Sequence, residues 1–193
     1  MKKKHNIYVV GIIMALVGGL MYMQQSAATP SSQSPSNNTV IPAIKAQILD
    51  VELTYPSAYA TYQKANSPYT KTLNTVVWYE NTEANKSFFT GGTGSPSEPP
   101  VTMSLDVYSN PNNVTAYQLL SADVPYLFAR GVGGVSSLAG KPATVLEWDG
   151  LYKGKTVIVN NQGLMYVFSV TSITSSDAIL KDFDLLLSSI SFK

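Results

Sequence analysis

The stretch AGKPATVLEWDGLYKGKTVIVNNQGLMYVFSVTSITSSDAILKDFDLLLSSISF, Ala139 to Phe192, decides the fold, because every joint in it carries its own turn chemistry. Gly140 and Pro142 open it, Asp149-Gly150 makes one turn, and Asn160-Asn161-Gln162-Gly163 makes another. Between these, the chain is rich in Val, Ile, Tyr, Trp and Phe, the residues that suit a pleated, half-buried surface. The reading is strand, turn, strand, turn, strand, helix, strand. After Ile173 the apolar period changes from two to 3.6, and Ile179, Leu180, Phe183, Leu186 and Leu187 fall on one side of a helix that packs on the sheet.

Upstream, Gln47 to Thr54 reads as a first strand ended by Pro56, and Tyr59 to Gln63 as its return. Thr75 to Glu80 is apolar on both parities, which predicts a strand covered on both sides. Val101 to Tyr108 alternates, with Val101, Met103, Leu105 and Val107 inward, so one face is expected to be partly open to solvent. Asn110-Pro111-Asn112-Asn113 makes a turn, Asn113 or Thr115 caps a helix through Leu120, and Pro125 allows at most a second short helix ending at Gly131. Helices and strands are segregated, which predicts an α+β fold: an antiparallel sheet of six or seven strands with helices laid against it.

The 193 residues include two stretches too polar to order themselves. Residues 29–44, rich in Ser, Pro and Asn, read as a disordered linker, and Thr90 to Pro100 as a mobile surface loop. Residues 1–28 read as a signal or membrane anchor, leaving 45–193 as one domain. Behind Lys2-Lys3-Lys4, Ile7 to Met23 gives 17 uncharged, mostly apolar residues, the asymmetry that keeps an N-terminus in the cytosol and exports the chain beyond it. At about 1.5 Å each they reach roughly 25 Å, against a hydrocarbon core of about 30 Å. Two outcomes stay open: a retained signal-anchor, a transmembrane helix holding the domain on the extracytoplasmic side, or cleavage after Ala28 and secretion.

Charged residues are 13% of the chain and its formal net charge is +1. Beyond Ala28 ten basic residues face twelve acidic ones, so nucleic acid is not an expected partner. Cysteine is absent, which removes disulfides, thiol catalysis, zinc-thiolate sites and a lipid-modified cysteine. His5 is the only histidine, so the exported part has no imidazole base for a serine or thiol nucleophile, and no S-x-x-K occurs. The expectation is that the protein is not an enzyme. Gly131-Val132-Gly133-Gly134 resembles a phosphate loop, but Ser136 stands where a dinucleotide fingerprint needs glycine, and the glycines read as a flexible helix exit. Asp182 and Asp184 lie about 200° apart on a helix and do not chelate one ion together. Asp106, Glu147 and Asp149 sit on strands or at a strand end, where calcium would require them to converge. With no clustered acidic loop, no metal or cofactor is expected, calcium being the one cation left to test. Tyr55, Tyr59, Tyr62 and Tyr69 fall close together, either as the edge of a core or as an interaction surface, since the ring gives apolar area and the hydroxyl a handle.

In combination, Tyr55-Pro56, the helix after the Asn-Pro turn, Leu138-Ala139-Gly140-Lys141-Pro142-Ala143, the hairpin, and the closing helix leading to Ser188-Ser189-Ile190-Ser191-Phe192 resemble PsbP-like domains over residues 45–193. Ala58-Tyr59 stands where a Gly-Trp pair tends to follow the early Tyr-Pro. The resemblance implies an α-β-α sandwich around an antiparallel sheet and a bacterial, membrane-anchored or exported protein with no established activity. Its plant members sit on the lumenal side of photosystem II and support calcium retention. The functional expectation is a non-catalytic extracytoplasmic accessory module for another envelope or membrane protein, the alternative being a small-ligand or calcium-binding module.

Overall fold

A computed structural model describes residues 42–65, 72–91, 98–121 and 132–193. The chain from Val40 onward forms a compact unit by itself. Strands β1 (Ala43–Ile48), β2 (Val51–Pro56), β3 (Tyr59–Ala65) and β4 (Thr72–Glu80) are followed by helix α1 (Glu83–Thr90), β5 (Thr102–Ser109) and helix α2 (Ala116–Leu120). Then come β6 (Val132–Leu138), β7 (Lys141–Asp149), β8 (Lys153–Asn161), β9 (Leu164–Ser172), helix α3 (Ala178–Ser188) and β10 (Ser191–Phe192). Seven strands form one antiparallel sheet in the order β3-β4-β5-β9-β8-β7-β6, and β1-β2-β10 form a second, three-stranded one. The expected α+β architecture is the one observed.

Alternation along the strands gives the large sheet two apolar faces. On one, Leu105, Val107, Val157, Val159, Tyr166 and Phe168 pack against β2 and α3, where Val51, Leu53, Ile179, Phe183 and Leu186 are all buried. On the other, Tyr108, Ile158, Met165 and Val167 are covered by Ala116 and Leu120 of α2. Helix α2 starts at one of the two expected caps: the Thr115 side chain accepts from the Gln118 N–H, and Gln118 returns the bond to the Thr115 N–H. Asp149 of the expected Asp149-Gly150 turn ends β7, and the expected turn from Asn160 to Gly163 narrows to Gln162-Gly163 because β8 runs through Asn161; this turn and Ala139-Gly140 each have both residues at positive φ. That type I′ geometry matches the twist of the flanking strands.

Several expectations are corrected. The first predicted strand is two strands, because the chain reverses at Leu49-Asp50, with Leu49 at a φ of 55°. Strand β1 begins at Ala43, so Ala43 and Ile44 leave the predicted linker of residues 29–44. Gly133 and Gly134 are not a helix exit but lie inside β6, where they pair with Leu146 and Val145. Helix α1 is an addition to the expected elements: the Thr82 side chain caps it through the Asn85 N–H, and Gly91 ends it at a φ of 72°. It lays Phe89 against Tyr79, ring centroids 4.5 Å apart. The expected helix ending at Gly131, most of the loop from Thr90 to Pro100, and residues 1–41 lie outside the described residues. The expected transmembrane helix and signal-anchor find no support, since no helix among the described residues is long and apolar enough to cross a membrane; that expectation is dropped, and Ile7 to Met23 itself lies outside them.

Phe183, 1% exposed, fills the centre of the contact between α3, β2 and the large sheet. Phe183→Ala is expected to cost about 3–5 kcal/mol. Urea unfolding measures it, and a loss below about 1 kcal/mol would show that the stripe does not bear on the core.

Candidate functional site

The register of β7 against β8 sets up a cleft at one end of the hairpin. Glu147 stands opposite Lys155, Trp148 opposite Gly154, and Asp149 opposite Lys153, so two opposite-charge pairs face each other on one side of the hairpin while the indole lies on the other. Gly154 is required there: a Cβ on it would come within 2.1 Å of the Trp148 ring. The indole N–H donates to Thr156 Oγ1 at 3.2 Å, and Thr156 is hydrogen-bonded to Ser169 at 3.0 Å. These bonds hold the ring flat on the hairpin.

Helix α3 closes the cleft from the other side. Asp184 accepts from Lys155 Nζ at 2.9 Å, a pair exposed enough to position the chains more than to stabilise them. Leu180 and Lys181 complete that wall, and Ser172 and Ser175 lie along the connection into the helix. The connection is fixed by Asp177, whose carboxylate accepts from the backbone N–H groups of Ile173 and Thr174 at 2.7 and 3.0 Å. Those bonds, with the Thr174 hydroxyl foremost, hold the Asp177 pKa below the usual range. The cleft measures about 640 Å³ and carries three ammonium groups and three carboxylates, so it has no net charge. Next in the chain to its lining residues, Leu151 in the β7–β8 turn and Ile173 after Ser172 are 79% and 68% exposed. The lysine that reaches across it is held by a carboxylate, Asp184, and not by a serine hydroxyl. The arrangement combines the Lys155–Asp184 ion pair with opposed charges along the hairpin, the indole packing behind it on the α2 side.

The tyrosines grouped by sequence are separated in space. Tyr55 is buried against Trp78, ring centroids 5.8 Å apart, and burial raises its pKa. Tyr59 is half-buried, donates to Asp182 at 2.7 Å, and has its pKa raised first by burial and then by that carboxylate. Tyr62 points to the opposite face of β3 and stacks on Phe89. Tyr69 lies outside the described residues. The described three therefore make no common surface.

The carboxylates separate in the same way. Asp106 pairs with Val167 of β9 on the face covered by α2, whereas Glu147 and Asp149 point to the α3 side of β7. Among the described residues no three acidic or histidine side chains are grouped to hold a metal. Asp182 and Asp184 diverge as the helical spacing requires, one to Tyr59 and the other to Lys155. Two carboxylates have roles that sequence reasoning missed: Asp184 forms a wall of the cleft, and Asp50 accepts from the buried Tyr166 hydroxyl and from Asn161 Nδ2. Only the tertiary packing reveals them.

Among solved structures, the chain is similar to the solution structure of cyanobacterial PsbP (CyanoP) from Synechocystis sp. PCC 6803, with a TM-score of 0.53 and 12% identity over 81% of this chain and 96% of that one. At that identity the likeness is one of fold, and the fold is PsbP-like. A crystal structure from Bacteroides thetaiotaomicron VPI-5482 aligns at a TM-score of 0.44 and 9% identity, over 75% of this chain and 45% of that one, too distant to inform the fold. No family model matches the chain, and no curated protein matches its sequence.

Because Asp106 is separated from Glu147 and Asp149 by the thickness of the sheet, millimolar calcium is expected to leave the melting temperature unchanged against chelator. A site occupied at a hundredfold excess over Kd would add about 2.7 kcal/mol and raise it by several degrees. Calorimetry decides between these outcomes. Asp106 itself carries a raised pKa because burial disfavours its charge, despite the hydrogen bond from Thr75 Oγ1 at 2.6 Å. Its contribution is therefore full below the unfolded value of about 3.9 and is lost as pH rises through the folded pKa. Asp106→Asn keeps the acceptor without the charge, so urea unfolding should find it more stable than wild type at pH 8, the advantage shrinking toward pH 4. A variant less stable than wild type at pH 8 would contradict this.

Proposed function

We propose that the protein is a non-catalytic interaction module working outside the cytoplasm, accessory to another envelope or membrane protein, with the end of the sheet around the cleft as its contact surface. The observation that carries this reading is the pairing of a charge-balanced cleft with exposed apolar residues in the chain segments that line it: Leu151 and Ile173 offer contact area, and the Lys and Asp side chains of the cleft offer polar pairing. The lysine-then-apolar start of the sequence and the low charge content support work outside the cytoplasm. The fold likeness to cyanobacterial PsbP is consistent with an accessory role.

A second reading has its own observation. A cleft of about 640 Å³ lies within the range of roughly 300–1,000 Å³ typical of small-molecule sites, and its mixed lining suits a zwitterion.

Affinity capture from native membranes with tagged wild type and with Leu151→Asp/Ile173→Asp tests the first reading. A partner recovered with wild type should fall at least tenfold with the double variant, while the melting temperature holds because both side chains are exposed. Equal recovery by the two chains would sink it. A melting temperature raised by several degrees with free amino acids or betaine would move the assignment to the small-ligand reading.

A further inference from the structure

Strand β6 is the last strand of the large sheet, and its outer edge pairs with no other described strand. Its sequence, VGGVSSL, holds neither charge nor proline, the two devices that usually protect an edge from pairing with another chain. The opposite edge, β3, carries Lys64. From Gly133 to Ser137 every residue of β6 is exposed, Val135 at 92%. The register places Gly134 and Ser136 on the α3 side and Gly133, Val135 and Ser137 on the α2 side. Small side chains thus leave both sides of the edge open.

Each side then falls away into a groove. Toward α3, Val145, Val157, Leu187 and Ile190 line a cavity of about 300 Å³ together with Lys155; toward α2, Val135, Pro142, Ile158 and Ala116 line one of about 350 Å³ together with polar Thr144 and Asn160. A strand laid along β6 would take main-chain hydrogen bonds from the edge and direct alternate side chains across Gly134 and Ser136 into one groove and across Gly133 and Ser137 into the other.

We propose that β6 receives an extended, uncharged peptide segment of a partner, with apolar side chains at alternating positions, as an added antiparallel strand. This rests on the reading of the domain as an interaction module, and it names a surface separate from Leu151 and Ile173. A partner peptide is favoured over a second copy of the chain by area. Seven residues at about 3.3 Å each give an edge of roughly 23 Å. Two such edges, built from Gly and Ser, bury far less than the approximately 1,600 Å² of a stable dimer, and each copy's own small side chains would leave the other's grooves unfilled. With no charge on β6 itself, and with Lys155 of the α3-side groove already paired with Asp184, a charged segment would set its charge against Val145, Val157 and Ile158 without a free partner along the edge.

The test is amide hydrogen exchange on the full-length protein with a nine-residue, acetylated and amidated peptide of alternating Val and Thr. Exchange across residues 132–138 is expected to slow at least tenfold at saturating peptide, and not at all with the same peptide N-methylated at alternate amides. Val135→Lys, at a position 92% exposed, should weaken binding at least tenfold with the melting temperature unchanged. The same variant should leave partner capture through Leu151 and Ile173 intact, so the two readings fail separately. No slowing at millimolar peptide, slowing confined to residues 59–65, or equal slowing by the N-methylated peptide would overturn the proposal. Slowing at β6 that grows with protein concentration in the absence of peptide would overturn it in favour of a second copy.

Discussion

The structure depends on a sheet that is apolar on both faces at its centre. Strand β9 buries Tyr166, Phe168 and Val170 on one side and Met165 and Val167 on the other, so it has no face to give to water. Each face then needs its own cover, and the chain supplies α3 with the small sheet on one side and α2 on the other. Burial of this kind has no direction, and polar ties fix where the covers sit. Asp50 holds the β1–β2 turn to Tyr166 and Asn161, both almost wholly buried. Asn110, 2% exposed, accepts from the Val114 N–H and donates to the Val114 carbonyl and to Asn160, while its backbone N–H bonds Gly163. It thereby fixes the entry to α2 against the β8–β9 turn. A buried amide with every group paired sets geometry at little cost, and one stripped of its partners would leave several desolvated groups unmet.

The features legible in the sequence are those encoded locally. The meander from β7 to β9 is legible because Ala139-Gly140 and Gln162-Gly163 are turn dipeptides and the intervening residues favour a pleated surface. Helix α3 shows its stripe, and Thr115 its cap. The β1–β2 reversal is not legible, since Leu49 adopts a positive φ without being glycine or asparagine, a conformation that the Asp50 tie to the sheet overrides propensity to hold. Helix α1 buries no residue completely, and its two phenylalanines are adjacent instead of spaced by a helical turn. Gly133 and Gly134 read as the end of a helix because glycine has low strand preference; their pairing with β7 is a tertiary fact.

The site is harder to see because sequence proximity and spatial proximity come apart in a sheet. Tyr59 and Tyr62 are three residues apart and so face opposite ways, while Tyr55 turns into the core. The cleft, by contrast, is assembled from β7, β8, the β9–α3 connection and α3, and Lys155 meets Asp184 across 29 positions. Opposed charges at Glu147–Lys155 and Asp149–Lys153 have meaning only once the register of the hairpin is known. Where the indole lies flat on the α2 side of the hairpin, Gly154 reads in sequence as a loop residue, yet its role is the space that it leaves empty.

Strand β10 is two residues long, yet it completes the small sheet: Ser191 and Phe192 pair with Glu52 and Val51, and the Lys193 N–H reaches the Asp50 carbonyl. The first hairpin of the domain is therefore finished by the last three residues of the chain. Contacts of such long sequence separation form late, and the second side of β2 has no partner until Ser191 and Phe192 are in place. The small sheet is thus the part of the fold whose completion depends on the widest separation in sequence, whereas the large sheet closes through β3 to β9 without it.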